Sequence, residues 1–229
     1  MPEERDVAVD DVVLRLRVWP AVDTAHPPVV LLPATGGTAE DWDAVASSLH
    51  RSRTVHAVDL RGHGGSDWPG RYSIQAMADD VAGLLPRLGP GPIDLVGHSL
   101  GGLVACAVAA ARPHLVRRLV LEDVGVPHPR PAAPPIRPAG DLPFDWRVVE
   151  QVRPEIDDPD PRWGDVLTGI SAPTLVIAGG PASPVPQEHV AELVGLVPDG
   201  RLVSLDAGHL VHDARPEEFT RLVRSFLDA

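Results

Sequence analysis

Lysine is absent from the sequence, so all 20 basic residues are arginines. Without lysine, the chain has neither a Schiff-base amine nor the lysine of a phosphate-binding loop. The single cysteine, Cys106, excludes an intramolecular disulfide and a cysteine-rich metal site. The longest apolar run, near residues 103–111, is too short to cross a bilayer. The acidic N-terminus lacks the apolar segment of a signal peptide, so we expect a cytoplasmic protein.

The chain is strongly acidic, with a formal net charge of -12. Such a surface repels nucleic acid phosphates and anionic membranes, so we expect neither as a partner. Apolar residues make up 44% of the chain, which is enough for a large core. We therefore expect a soluble, folded domain, and its oligomeric state is not predicted.

Short β-branched runs alternate with amphipathic stretches along the chain. This alternation predicts crossover connections and a mainly parallel central sheet of about 7–8 strands flanked by helices, in one domain over residues 1–229. The first strands have no helix between them, which favours an antiparallel edge. The predicted strands are 12–18, 29–32, 54–60, 93–96, 116–121, 174–178 and 201–205, and the main helices are 38–49, 73–88, 99–111, 187–196 and 216–227.

The alternation of strands and helices is interrupted over residues 124–170, because six prolines between 127 and 138 exclude a long regular helix there. Short helices are predicted near residues 146–152 and 163–167. The position of this segment between two strands suits a short, proline-rich cap over an active site.

The most specific motif is Gly97-His98-Ser99-Leu100-Gly101. It matches G-x-S-x-G, and it follows an apolar strand and precedes a helix, as a nucleophile elbow requires. The flanking glycines allow a sharp turn that lifts a serine hydroxyl clear of the sheet. Ser99 is the predicted nucleophile.

With the elbow, several motifs make the chain resemble the α/β-hydrolase family from about residue 29 to the C-terminus. The segment 30–32 followed by Trp42 is similar to the family's oxyanion segment, and 59–66 to the turn after its fourth strand. Gly208-His209, before the final helix, is similar to its catalytic histidine loop. The resemblance implies the α/β-hydrolase fold.

A serine hydroxyl needs an adjacent base at neutral pH, and imidazole suits that role. Among ten histidines, His209 is favoured because it follows the last strand at the sheet edge where Ser99 also lies. His212, three residues later, is the local alternative.

The third catalytic group is an acid that orients the imidazole. The resemblance implies a carboxylate near Ala182, but the loop 179–184 contains none. Some family members carry the acid after the preceding strand, where this chain has Glu122 and Asp123. Asp123 matches that position best. Three alternatives remain: Glu122, some carboxylate of the cap segment, or no acid. Strand alternation lets only one of the neighbours Glu122 and Asp123 face the histidine.

Acyl transfer also requires donors for the developing oxyanion. The resemblance implies the backbone N–H of Leu100 and, from the loop after residues 29–32, that of Thr35. Pro33 has no N–H and is excluded.

These residues predict a serine hydrolase of the carboxylesterase type that acts on a small-molecule substrate, namely a carboxylic ester, thioester or lactone, without organic cofactor or metal. The departures in the acid and oxyanion loops leave two alternatives. One is a lyase, cyclase or acyltransferase on the same fold, acting in specialised metabolism. The other is a catalytically silent ligand-binding protein.

Overall fold

A computed structural model describes residues 1–131 and 133–229. Within these residues, eight strands form one sheet in the order β1-β2-β4-β3-β5-β6-β7-β8. The strand β2 runs antiparallel to β1 and β4, and the other pairings are parallel. The strands are β1 (Glu3–Val9), β2 (Val12–Trp19), β3 (Val29–Leu32), β4 (Val55–Val58), β5 (Ile93–His98), β6 (Val116–Glu122), β7 (Thr174–Ala178) and β8 (Gly200–Ser204).

Helices cover both faces of the sheet. Alternate residues of β3 show the division, since Val30 and Leu32 enter one apolar layer and Val29 and Leu31 the other. The first layer packs against α2, α3 and α6, and the second against α1 and α8. The described helices are α1 (Asp43–Leu49), α2 (Ile74–Leu84), α3 (Leu100–Ala111), α4 (Arg147–Asp157), α5 (Trp163–Thr168), α6 (Gln187–Leu196), α7 (Val211–Ala214) and α8 (Pro216–Asp228).

Burial on both faces explains the apolar strand sequences. Every residue of β3, β4, β5 and β7 is buried. Continuous apolar runs of this kind are typical of parallel strands covered on both sides. The sheet order and the flanking helices confirm the predicted fold class.

The strand β1 was not predicted. Its first four residues are exposed, and only Val7 and Val9 point inward, so its apolar signal is short. It forms a hairpin with β2 through Asp10 and Asp11, with Val9 opposite Val12. Asp10 has a φ of 47°, which aspartate tolerates in a two-residue turn. The predicted helix 38–49 also differs, because it begins as a 3-10 turn over Ala39–Trp42 before α1.

The segment between β6 and β7 carries α4 and α5, close to the two predicted short helices. It is tied to the loop after β4 by two backbone hydrogen bonds, from Gly64 N–H to the Pro143 carbonyl (2.7 Å) and from Asp145 N–H to the Gly62 carbonyl (2.8 Å). Val148 and Val152 of α4 are buried in the core. The segment therefore packs on the rest of the chain. None of the described helices combines the length and apolarity that crossing a membrane requires.

Candidate active site

Ser99 lies between β5 and α3 with φ 49° and ψ -114°, a strained conformation for a residue other than glycine. The turn is tight enough to exclude side chains beside it. A Cβ on Gly97 would lie 2.4 Å from the Gly101 carbonyl oxygen, and a Cβ on Gly101 would lie 2.5 Å from the Leu32 carbonyl oxygen. The glycines of the motif are thus required by the close approach of β3, β5 and α3.

His209 and Asp123 form a direct hydrogen bond. The imidazole Nδ1–H donates to Asp123 Oδ2 across 2.6 Å. Asp123 is fully buried, whereas the His209 side chain is 28% exposed. Because Nδ1 is held by the carboxylate, Nε2 is the ring nitrogen that remains for a serine proton.

Asp123 also accepts hydrogen bonds from the loop after β7. The Gly179 N–H donates to Oδ1 at 2.9 Å, and the Ser183 hydroxyl donates to Oδ2. Burial by itself raises the pKa of Asp123, but the hydrogen bonds from His209, Ser183 and Gly179 outweigh it and leave this pKa below its usual value. The carboxylate is therefore ionised at neutral pH. Sequence reasoning did not identify Ser183 or Gly179, because neither is itself an acid.

Glu122 faces a different histidine. Its carboxylate accepts from the backbone N–H and the Nδ1–H of His212, each at 2.8 Å. His212 is 4% exposed and stacks on the Trp42 ring at a centroid distance of 4.4 Å. Burial lowers the pKa of His212, but the Glu122 carboxylate outweighs burial and raises it. Two neighbouring carboxylates thus hold two separate imidazoles.

Ser99 and His209 line one cavity, together with Thr35, Leu100 and Asp123. The Ser99 hydroxyl makes no hydrogen bond to any residue that the structure describes. Neither the Thr35 N–H nor the Leu100 N–H donates to another described residue, so both donors remain available beside the serine. The structure brings all five predicted site residues together.

His63 fixes the loop that carries Thr35. Its Nε2 accepts from the Gly36 N–H and its Nδ1–H donates to the Arg61 carbonyl, both at 3.1 Å. The Phe144 ring stacks on the imidazole with centroids 5.6 Å apart. Burial lowers the pKa of His63, so the ring is neutral as this bonding pattern requires. His63 therefore positions the loop that carries Thr35 without lining the cavity itself.

Asp59 and Arg61, both in the turn 59–66, have different partners. Arg61 donates from Nε and Nη2 to Asp80, each at 2.5 Å. Asp59 accepts from the backbone N–H groups of Ala39 (2.7 Å) and Gly65 (2.8 Å). Among the described residues Asp59 forms no ion pair, and its two backbone hydrogen bonds fix two loops.

The sequence model of a family described as "alpha/beta hydrolase fold" matches residues 27–162. The chain belongs to this family. The sn-1-specific diacylglycerol lipase ABHD11 of Mus musculus is 29% identical to this hydrolase, with 90% of the present chain and 82% of the lipase covered. Lipase LipV of Mycobacterium tuberculosis (strain ATCC 25618 / H37Rv) is 31% identical, with 81% and 87% covered.

The crystal structure of a hydrolase from Pseudomonas aeruginosa PA01 superposes on this hydrolase with a TM-score of 0.85. The two are 26% identical, and 99% of each chain is covered. Together with the named relatives, this likeness confirms the expectations of an α/β-hydrolase fold and of a hydrolase enzyme.

The cavity of this α/β hydrolase has a volume of about 490 Å³, within the range of small-molecule sites. Much of its wall comes from the segment after β6 and from the loop before α6. The apolar contributions include Leu103, Val124, Val126, Val149, Val152, Ile156 and Val185, and the polar ones include His128, Arg130, Arg153 and His189.

By residue type, His98, Glu122 and His212 could also hold a metal, since their ligand atoms lie within 4.8 Å of one another. In this hydrolase, however, the Glu122 carboxylate already receives two hydrogen bonds from His212. A metal would have to replace the proton on His212 Nδ1. The arrangement is that of a buried acid–imidazole pair.

Proposed function

We propose that this chain is a serine hydrolase that cleaves a carboxylic ester, thioester or lactone through an acyl-enzyme. Ser99 is the nucleophile, His209 the general base and Asp123 the acid that orients it. The observation that carries the proposal is the 2.6 Å hydrogen bond between His209 and Asp123 on a cavity that Ser99 also lines. The relatives named as lipases support the ester substrate class.

In this mechanism the Ser99 Oγ attacks the substrate carbonyl while His209 Nε2 takes its proton. The proton then passes to the departing alcohol or thiol, or to the ring-opened end of a lactone. His209 next activates a water molecule, which releases the acid and frees Ser99. Throughout, Asp123 holds the Nδ1-protonated tautomer and stabilises the imidazolium.

The negative charge on the carbonyl oxygen is met by two backbone donors. We assign these to the N–H groups of Leu100 and Thr35, which line the cavity with Ser99. Leu100 is the first residue of α3, where the helix dipole adds to the stabilisation.

We assign residues 124–170 the role of a short cap. Val126, Val152 and Ile156 from this segment line the cavity, which supports that role. The single-domain organisation, the cytoplasmic location and the absence of nucleic acid and membrane partners stay predictions.

Substitution of the serine tests the proposal directly. Ser99→Ala is expected to abolish hydrolysis of a short p-nitrophenyl ester and labelling by a fluorophosphonate probe, because no other hydroxyl lies on the elbow. Ser171→Ala is the matched control, since Ser171 is exposed and remote from the cavity lining. Full activity of Ser99→Ala would remove Ser99 from the mechanism, and an unlabelled native protein would favour a binding role.

The alternative of a lyase, cyclase or acyltransferase rested on the missing carboxylate in the loop 179–184 and on the unusual loop that carries Thr35. Asp123 reaches His209 from the end of β6, which removes the first of these two grounds. Hydrolysis in ¹⁸O-labelled water places the label in the acid product, whereas elimination or cyclisation leaves it out.

A further inference from the structure

Two arginines on the wall of the cavity share one buried carboxylate. Arg130, in the loop after β6, and Arg153, on α4, each donate from Nε to Asp157, the latter at 2.7 Å. The Asp157 side chain is 7% exposed, whereas those of Arg130 and Arg153 are 46% and 38% exposed. Burial raises the pKa of Asp157, but the two guanidinium groups outweigh it and lower this pKa, so the carboxylate is charged at neutral pH.

This cluster leaves cationic groups available to the cavity. Both arginines line the cavity that holds Ser99. Each contacts Asp157 through Nε, and the terminal Nη groups of neither donate to another residue that the structure describes. Two guanidinium groups facing one carboxylate carry one excess positive charge, on a protein whose net charge is -12.

The wall beside these arginines is apolar, with Val126, Val149, Val152 and Ile156 lining the same cavity. An apolar part of a substrate would therefore pack against this wall in the cavity that Ser99 and both arginines line. A neutral lipid tail would leave those charges without a partner, whereas an anionic end group would receive hydrogen bonds from both.

We propose that Arg130 and Arg153 bind a carboxylate of the substrate, so that the preferred substrates are esters whose acyl chain ends in a carboxylate. The inference rests on the proposed function and names its substrate class. A carboxylate fits better than a phosphate monoester, because the cluster offers one excess charge and a carboxylate is a monoanion. The planar guanidinium group also matches the two oxygens of a carboxylate.

Matched substrates test this assignment. Mono-p-nitrophenyl adipate, pimelate and suberate are compared with p-nitrophenyl hexanoate, heptanoate and octanoate, which carry a methyl group in place of the carboxylate. The native protein is expected to show a kcat/KM at least about 10-fold higher for the best anionic ester than for its neutral partner, as charge-assisted hydrogen bonds would give.

Arg130→Gln and Arg153→Gln are each expected to lower this anionic-to-neutral ratio towards one, mainly through KM. Each variant retains the other guanidinium group to neutralise Asp157. The control is Arg162→Gln, because Arg162 lies on the same segment but pairs with Asp160 and does not line the cavity. It is expected to keep the native ratio.

A binding measurement separates the inference from the proposed function. Ser99→Ala protein is titrated calorimetrically with mono-p-nitrophenyl pimelate, with and without Arg153→Gln. Selective binding without hydrolysis by the native protein would refute the hydrolase and support the carboxylate site. Ester hydrolysis with no anionic preference, an equal loss on both substrates in the arginine variants, or stronger competition by inorganic phosphate than by pimelate would overturn the carboxylate site.

Discussion

Adjacent carboxylates at the end of β6 serve two different histidines. Asp123 holds His209 at the cavity, and Glu122 holds His212 against the buried Trp42 ring. The two side chains face opposite ways, and Asp123 has a φ of 49° directly after the strand. Under the proposed mechanism, the first pair takes part in the chemistry and the second pair packs in the core.

The two carboxylates are therefore expected to respond differently to neutralisation. Asp123→Asn would favour the wrong tautomer of His209 and lower kcat by roughly 10³- to 10⁴-fold on a p-nitrophenyl ester. Glu122→Gln would reduce the free energy of unfolding, because it leaves the His212 charge poorly compensated, and would lower kcat much less. Steady-state kinetics and urea unfolding of both variants check this ranking, and the reverse ranking in kcat would move the acid to Glu122.

The family resemblance favoured Asp123 as the acid, but the residue pattern alone did not exclude the alternatives. Strand alternation implies that Glu122 and Asp123 face opposite ways, yet it does not say which one faces His209. The deciding contacts come from Gly179 and Ser183, which lie 56 and 60 residues further along the chain. Such contacts depend on the pairing of β6 with β7, and no local pattern encodes them.

At the element scale, the elbow depends on the close packing of α3 against β3. Gly101→Ala would place a Cβ 2.5 Å from the backbone carbonyls of Leu32 and Pro33. Backbone oxygens cannot move aside cheaply, so we expect a loss of about 1–3 kcal/mol in the free energy of unfolding together with lower esterase activity.

Gly195→Ala is the matched control within another helix. A Cβ at Gly195 in α6 would meet no atom within 4 Å. This change is expected to raise the free energy of unfolding by about 0.5–1 kcal/mol and to leave activity unchanged. Chemical denaturation measures both variants, and a stable, active Gly101→Ala protein would contradict the packing argument.

Helices and buried strands were predicted well because their apolar patterns are long and regular. The edge strand β1 was missed because only Val7 and Val9 of its seven residues are buried. Its best signal is the pair Asp10-Asp11 before the alternating pattern of β2, which is typical of a hairpin turn. No local sequence pattern predicted the hydrogen bonds between the segment 124–170 and the loop after β4.

At the scale of the whole molecule, buried neutral histidines make stability depend on pH. Burial lowers the pKa of His56 and of His98 to about 4 each. Both have at least one ring nitrogen without a hydrogen-bond partner among the described residues. Between pH 6.5 and 4 the unfolded chain binds more protons at these sites than the folded protein does, so they reduce the free energy of unfolding as the pH falls.

His56→Val removes one such group from β4 while keeping a β-branched residue in the strand. We expect the variant to lose up to about 1.4 kcal/mol per pH unit of the acid-dependent slope between pH 6.5 and 4. Urea unfolding at a series of pH values measures the slope. An unchanged slope would mean that His56 is already charged in the folded protein.

The ends of the central strands are linked by hydrogen bonds across the sheet. The Ser99 N–H donates to the Glu122 carbonyl at 3.1 Å, and the Asp123 N–H donates to the Ile177 carbonyl at 2.8 Å. The strand register thus sets the spacing between Ser99 and Asp123. The residues proposed to select the substrate lie instead on the 124–170 segment. Cavity-facing residues of that segment can therefore change to reach new substrates, as long as Phe144 stays against His63 and Val148 stays buried in the core.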